Sequence, residues 1–132
     1  MPAIAATNPT TKEVVALLRA DWREQVMGAW LALLRSDDEV TNQVLRSLSA
    51  SLGSLTAPPL ATTAVVLAGR AALESLAEYR SRDLADDLGA GEFVTAAMYH
   101  LDPAGSTGFP SEASSDEFLA MLDLAKQLRM LA

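Results

Sequence analysis

The chain has no cysteine, and histidine occurs once, as His100. Without cysteine there is no disulfide, thiolate metal site, iron–sulfur cluster or cysteine nucleophile. One imidazole cannot build a multi-histidine metal site within one copy of the chain, and it activates at most one nucleophile. No Gly-x-Ser-x-Gly pattern is present either. We therefore expect a protein that is not an enzyme and that holds no metal or other cofactor.

Aromatic residues make up only 5% of the 132 residues. They and the β-branched residues are too few to suggest an all-β fold. Alanine (24 residues) and leucine (21 residues) dominate instead, and both favour helix. Since 50% of the residues are hydrophobic, the chain has enough apolar material for a core. We expect a flexible N-terminal segment, residues 1–9, followed by a single domain, residues 10–132.

Long apolar segments are also missing. The longest unbroken apolar run covers residues 26–34, whereas a membrane-spanning helix needs about 20 residues. The first ten residues show no basic cluster followed by an apolar stretch, which is the pattern of a signal peptide. We expect a soluble, cytoplasmic protein.

Positive charge is scarce in the last part of the chain. Residues 1–82 hold eight acidic and eight basic residues, whereas residues 83–132 hold nine acidic and two basic residues. The whole net charge of −7 therefore lies in the last 50 residues. Such asymmetry produces a directed field that repels nucleic acid and attracts a basic partner. The alternative is that the acidic surface only keeps a small domain soluble.

Helical periodicity runs through most of the chain. Apolar residues recur at spacings of three and four, as in helices that pack one face against a core. The pattern predicts seven helical segments, over residues 10–19, 21–35, 38–52, 59–68, 70–85, 91–101 and 115–131. Joined by short turns, these six or seven helices form an all-α domain of antiparallel helix pairs, either HEAT-like or a compact helical bundle.

Local signals mark several helix ends. Asp21 with Glu24, and Ser114 with Glu117, have the spacing of a capping box. Gly53 is placed to end the third helix in a left-handed conformation.

Two features concern the middle of the fold. The apolar run at residues 26–34 leaves little polar surface, which predicts that the second helix is central and buried on most sides. Gly69 interrupts residues 60–82, and the sequence leaves open whether this stretch is one bent helix or two.

A resemblance to a known family is carried by three groups of residues. They are Trp22-Arg23-Glu24 before Ala29-Trp30-Leu31, the small-residue segment 64–69 leading into an arginine- and glutamate-rich helix with Tyr79, and His100-Leu101-Asp102. With these, residues 21–102 resemble a family of short, uncharacterised bacterial proteins, largely from actinobacteria, related to HEAT-like helical repeats. The resemblance implies a helical fold and a binding role, and it supplies no catalytic residues.

Acidic side chains form the main candidate site. The densest cluster lies around the predicted turn after the fifth helix, and two further acids begin the last helix. The candidate residues are Asp83, Asp86, Asp87, Glu92, Asp116 and Glu117. Their order does not match a calcium-binding loop, whose ligands alternate around a fixed glycine. We interpret them either as a solvated turn or as a docking surface for a protein. His100 lies in the last turn of a predicted helix, where a cationic imidazole interacts favourably with the helix dipole.

Size, acidity and missing catalytic groups together favour a non-enzymatic protein–protein interaction module with an acidic C-terminal surface. Its concrete form is an immunity- or antitoxin-like inhibitor of a basic enzyme such as a nuclease, because acidic residues can imitate phosphates. Two alternatives stay open. The first is a structural homo-oligomer, such as a homodimer, that associates through the last helix. The second is a small ligand-binding helical protein with a pocket near His100.

Overall fold

The computed structural model describes residues 9–35, 37–105 and 109–132. Within these ranges all regular elements are helical and no strand is present, which confirms the all-α prediction. Apart from Pro9, the predicted flexible segment 1–9 lies outside the described residues. The elements of the described residues are α1 Thr11–Leu18, α2 Trp22–Ala32, α3 Asp38–Ala50, α4 Ala57–Ala68, a 3-10 turn Gly69–Ala72, α5 Leu73–Asp86, α6 Gly91–Leu101 and α7 Glu112–Arg129.

Helix α4 occupies the centre of the core, although it carries few large side chains. It packs against α2, α3, α6 and α7, and its residues 59–65 are all buried. Alanine and threonine suit this position because a helix that is surrounded by others must let them approach closely. The prediction that the second helix holds the central place was wrong, since Trp22 and Met27 of α2 are 48% and 56% exposed.

Two buried threonines of α4 need hydrogen-bond partners, because an unpaired hydroxyl in a core is unfavourable. Thr62 donates its hydroxyl to the carbonyl oxygen of Pro58, one turn earlier, at 2.8 Å. Thr63 donates its hydroxyl to the carbonyl oxygen of Ala29 at 2.9 Å. The second bond also joins α4 to α2.

Proline and glycine set the two ends of α4. Pro58 and Pro59 lie in its first turn, where a missing N–H is tolerated. The helix therefore begins at Ala57, two residues before the predicted start at residue 59. At its other end Gly69 has φ 57°, a conformation that favours glycine, and a 3-10 turn leads into α5. The stretch 60–82 is thus two α-helices joined by a short turn.

The stretch Ala57–Asp86, which comprises α4, the 3-10 turn and α5, is the one part of the described chain that is long and apolar enough to cross a membrane by length and composition. Within its most apolar 18-residue window, 44% of the residues are buried in the fold. The central position of α4 accounts for this apolar character, because a helix enclosed by others has little need of polar side chains.

The caps of α2 and α7 differ from the predicted ones, whereas α1 begins with a capping box formed by Thr10 and Glu13. At α1 the N–H of Glu13 donates to the Thr10 hydroxyl oxygen at 3.1 Å, and the N–H of Thr10 donates to the Glu13 carboxylate at 2.8 Å. The capping boxes predicted for α2 and α7 were wrong. Among the described residues, the side chain of Asp21 makes no capping bond. Helix α7 is capped by Ser111, whose hydroxyl accepts from the N–H of Ser114 at 3.2 Å, and it begins three residues before the predicted start.

The end of α3 also differs from its prediction. The helix ends at Ala50, and its C-cap Ser51 has φ −57°, whereas Gly53 does not have a positive φ. A hydrogen bond of 2.6 Å joins the hydroxyls of Ser51 and Thr56 across the short connection to α4. Side-chain hydroxyls thus close this turn, rather than a left-handed glycine.

The helices pack as a compact bundle. The most extensive contacts join α1 with α2, α5 with α6, and α3 with α4. Among helices that are neighbours in the sequence, α6 and α7 also pack together, whereas α2 touches α3 only slightly. Helices α4 and α5 follow one another through the 3-10 turn without forming one of the larger contacts. Of the two predicted architectures, the compact bundle describes this packing.

Arginine side chains close the open ends of helices over long sequence separations. Arg129, at the end of α7, donates to the carbonyl oxygens of Leu33 and Arg35, the first at 2.9 Å. These carbonyls follow the last turn of α2, where the helix leaves acceptors without partners. The guanidinium of Arg35 in turn forms a 3.1 Å salt bridge with Asp37 at the start of α3. The last helix is thereby tied to the corner between α2 and α3.

The close approach of α1 and α2 at Gly28 gives a test of this packing. A Cβ atom at Gly28 of α2 would lie 3.0 Å from the Cβ of Leu17 and 3.1 Å from the backbone nitrogen of Leu18, both in α1. The change Gly28→Leu should therefore lower the free energy of unfolding by about 2 kcal/mol, because overpacking outweighs the gain in helix propensity. Urea denaturation followed by circular dichroism measures the difference.

Met27→Leu is the matched control for this test, because it alters the neighbouring exposed position of the same helix. We expect it to change the free energy of unfolding by less than about 0.5 kcal/mol. An unchanged unfolding midpoint for Gly28→Leu would show that α1 and α2 can move apart without loss, contrary to the packing described.

Candidate functional site

The turn between α5 and α6 presents three of the predicted acids to solvent. Asp86 ends α5, Asp87 follows it, and Glu92 is in the first turn of α6; all three are exposed. We call these three residues the acidic corner. The chain reverses sharply here, with positive φ at Asp87 (52°), Gly89 (94°) and Ala90 (63°). A negative side chain is favourable at Glu92 because it lies at the positive end of the α6 dipole.

Asp83, the fourth predicted acid of this region, has a structural task. Its Oδ1 accepts a hydrogen bond of 2.6 Å from the backbone N–H of Gly89. Its Oδ2 occupies the space beside Gly91, where an added Cβ would lie only 2.1 Å away. The carboxylate therefore braces the turn from inside. Its partly buried position makes it a positioning residue for the acidic corner, in contrast to the three exposed acids.

Tyr79 supports the same turn, and the sequence patterns did not single it out as part of a site. Its side chain is fully buried, and its hydroxyl donates to the carbonyl oxygen of Gly89. Burial, with a smaller contribution from the negative charge of Asp83, raises the pKa of Tyr79 to about 12. The only sequence signal for this role is a tyrosine on the apolar face of α5, ten residues before a glycine turn.

Arg82 fixes α5 to the end of α3. Its guanidinium donates to the carbonyl oxygens of Ser49 and Ser51, the latter at 2.9 Å. These carbonyls belong to the last turn and cap of α3, which carry the negative end of that helix dipole. The acidic corner is therefore carried by a helix that is anchored by Arg82, Asp83 and Tyr79 within two turns.

Asp116 and Glu117, the remaining predicted acids, are exposed in the first half of α7. The next residue, Phe118, is buried and packs edge-on against Phe93 of α6 with 5.5 Å between ring centroids. Phe93 directly follows Glu92, so this aromatic contact joins the two helices that carry Glu92, Asp116 and Glu117. The structure thus places the predicted acids on two packed helices and the turn before them.

None of the six predicted acids takes part in a salt bridge among the described residues. The ion pairs found there are Arg35 with Asp37 at 3.1 Å and Arg70 with Asp102 at 3.9 Å. In the same ranges, no three histidine, aspartate or glutamate side chains converge in a way that could hold a metal ion. The acidic side chains are therefore spread over a surface rather than gathered into a chelating site.

A pocket of about 270 Å³ lies between α6 and α7, next to His100. His100 is exposed in the last turn of α6, and its ring lies 5.5 Å from that of Phe118. The ring of Phe109 lies 5.5 Å from that of Tyr99 at the same place. The pocket is lined by Ala96, Tyr99, His100, Pro103, Ser115, Phe118 and Leu119.

Two larger depressions are mainly apolar. The first, of about 550 Å³, lies between the start of α2 and the connection from α3 to α4. Leu88, in the turn that carries the acidic corner, forms part of its wall, together with Trp22, Leu52 and Leu55. The second, of about 430 Å³, is lined by Trp30 of α2 and by Leu124, Gln127, Leu128 and Leu131 near the end of the chain. Both leave large apolar side chains open to solvent.

Comparisons of the chain with protein-family profiles, with curated proteins and with solved structures found no match. The resemblance to HEAT-like actinobacterial proteins therefore stays a prediction.

The buried hydroxyl of Tyr79 gives a pH-dependent test of the acidic corner. The folded protein holds this proton more tightly than the unfolded chain, where the pKa of tyrosine is about 10. Its contribution to stability is therefore complete below about pH 10 and is lost as the pH rises through about 12. Tyr79→Phe should lower the free energy of unfolding at neutral pH by about 1 kcal/mol and should flatten its decline above pH 10.

Urea denaturation at several pH values between about 8 and 12 measures both effects. Tyr99→Phe removes the other tyrosine hydroxyl of the chain and is the matched control. Parallel pH profiles for the natural chain and Tyr79→Phe would contradict a hydroxyl that is buried against the turn.

Proposed function

We propose that this chain is a non-enzymatic, cytoplasmic protein-binding module whose acidic surface docks onto a basic partner protein. The observation that carries the proposal is the exposure of Asp86, Asp87 and Glu92 on a turn that Tyr79 and Asp83 hold in place. Charges presented on an ordered backbone lose less conformational entropy when they bind than charges on a mobile tail.

The charge distribution supports a basic partner and disfavours nucleic acid. All of the net charge of −7 belongs to residues 83–132, which form the last turn of α5 and all of α6 and α7. A surface of one sign attracts a partner of the opposite sign over about 8–10 Å at physiological salt and raises the association rate. It repels the phosphates of DNA and RNA for the same reason.

Apolar surface beside the acidic corner adds binding affinity to the attraction between charges, because buried apolar and aromatic groups carry most of the affinity in protein interfaces. Leu88 connects the acidic turn to the depression that holds Trp22. The indole of Trp22 is half exposed, and the Arg23 guanidinium lies 5.1 Å from the ring centroid. A partner that reaches from the acidic corner into this depression would bury an aromatic anchor inside a charged rim.

The concrete form of this proposal is a small bacterial inhibitor of a cationic enzyme, comparable to immunity proteins and antitoxins. A nuclease surface that binds phosphates is basic, and exposed carboxylates can occupy it in place of the substrate. The binding role that the HEAT-like resemblance implies is consistent with this form.

Charge reversal at the acidic corner tests the proposal. The double change Asp86→Lys and Asp87→Lys should abolish capture of the basic partner from host lysate at low salt, whereas the natural chain captures it at low salt and releases it at high salt. The readout is affinity capture with mass spectrometry, followed by measurement of the Kd of the captured protein at two salt concentrations.

The matched control is Asp38→Lys with Glu39→Lys at the start of α3, in the charge-balanced part of the chain. It changes the net charge by the same amount at two equally exposed positions. Capture that survives the control and fails in the Asp86 and Asp87 variant supports the proposal. Equal loss with both pairs would mean that only the overall charge matters, and equal retention would remove the acidic corner from the interface.

A second candidate function is self-association through the last helix, and one observation favours it. Leu124 and Leu131 of the C-terminal region are 56% and 73% exposed, and they line the apolar depression beside Trp30. An apolar surface of this kind on a small domain is typical of an interaction site.

Self-association is tested by light scattering at two protein concentrations. If the last helix joins two copies, the natural chain has the mass of a dimer, and the double change Leu124→Gln with Leu131→Gln returns it to a monomer. Leu84→Gln, at an exposed position of α5, is the control and should leave the mass unchanged. A monomer at both concentrations for the natural chain rejects this second candidate.

A further inference from the structure

The pocket between α6 and α7 concentrates the aromatic side chains of a chain that has few. All three phenylalanines of the sequence lie at this contact, together with Tyr99 and His100. Phe118 forms the floor and touches both Phe93 and His100, with ring centroids 5.5 Å apart in each case. Phe109 is 85% exposed and leans against Tyr99 at the rim. Phe109 therefore places an exposed ring against a tyrosine that lines the pocket.

Two exposed acidic residues, Glu92 and Asp116, lie close in the sequence to residues that line this aromatic pocket. Glu92 lies one helical turn before Ala96, on the face of α6 that lines the pocket. Asp116 directly follows Ser115, which lines the pocket from α7. Arg70 is engaged at the end of α6: it donates to the carbonyl oxygen of Leu101 at 2.9 Å and lies 3.9 Å from Asp102. The surroundings therefore favour a cation.

The size of the pocket limits the kind of cation. Its volume of about 270 Å³ is below the range of about 300–1,000 Å³ that holds cofactors and drug-sized ligands. It suits a single long side chain that enters between two aromatic walls. A guanidinium group fits better than an ammonium, because it is planar, weakly hydrated and able to stack on an aromatic ring while its N–H groups reach a carboxylate.

We propose that this pocket receives an arginine side chain from the basic partner, with Tyr99, Phe109 and Phe118 contacting the guanidinium and Glu92 and Asp116 attracting it. The inference rests on the proposed function, because it names the group of the basic partner that this surface recognises. It also extends the acidic corner, through Glu92, to a contact region between α6 and α7.

The test uses a capped pentapeptide with one arginine between glycines, titrated into the ¹⁵N-labelled full chain. Saturable shifts of the backbone amide signals of Ala96, Ser115 and Leu119 are the expected result. The same peptide with lysine should bind several-fold more weakly, and with glutamine it should not bind. These three peptides separate guanidinium recognition from a general attraction of positive charge.

Two variants locate the contact without disturbing the core. Phe109→Leu removes a ring face at an exposed position and should weaken the arginine peptide about five-fold, which corresponds to about 1 kcal/mol. Asp116→Asn, which keeps the shape of the side chain, should weaken it about two-fold to five-fold and reduce the salt dependence. Glu39→Gln, an exposed acid on α3, is the matched control and should leave the affinity unchanged.

Each other outcome overturns the inference in a recognisable way. Shifts that map to residues 86–88 and persist in Phe109→Leu would leave the proposed function in place and reject the pocket. Absence of saturable shifts with the arginine peptide would also reject the pocket, while the capture experiment with Asp86 and Asp87 decides the proposed function independently. Free methylguanidinium binding as tightly as the peptide would make this a small-ligand site rather than a docking site.

Discussion

The enclosure of α4 by other helices is the constraint on which the rest of the structure depends. A helix that contacts four neighbours has no free face for polar side chains, and it must be slim enough for those neighbours to meet around it. Alanine at positions such as Ala61 and Ala64 keeps the helix slim enough for this packing. The two polar residues of this helix, Thr62 and Thr63, are tolerated because their hydroxyls donate to the carbonyl oxygens of Pro58 in the same helix and of Ala29 in α2.

At the candidate site, one set of residues stabilises the turn and a different set gives the surface its negative charge. The groups that hold the turn after α5, namely Tyr79, Arg82 and Asp83, are buried or partly buried and point inward. The groups that give the surface its sign, Asp86 and Asp87, are exposed. Because the inward set carries the structure, the outward set can change without loss of the fold. That division is typical of binding surfaces carried on a rigid scaffold.

Sequence patterns predicted the helices well and their surroundings poorly. The bounds of α6, residues 91–101, agree with the prediction because Gly91 and the Asp102-Pro103 pair are strong local end signals. The cap of α7 is Ser111 rather than Ser114, since several serines near one another satisfy the same spacing rule. Among the candidate acids, only the structure distinguishes Asp83, which braces a turn, from Asp86, which faces solvent, because both precede the same glycine-rich segment. Tyr79 and the pocket lined by Phe118 depend on contacts between helices, which no local spacing encodes.

The sequence by itself determined that this chain is helical and that its last 50 residues carry the whole net charge. Helix formation follows from local terms, namely the propensities of alanine and leucine and the period of the apolar residues, and these act within a few turns. Only the tertiary structure decided which helix is central, which acids are exposed and where apolar surface stays open. Those outcomes depend on pairs such as Leu33 with Arg129, which are 96 residues apart. A contact of that kind forms only after the intervening helices have packed, so the sequence around either residue does not predict its partner.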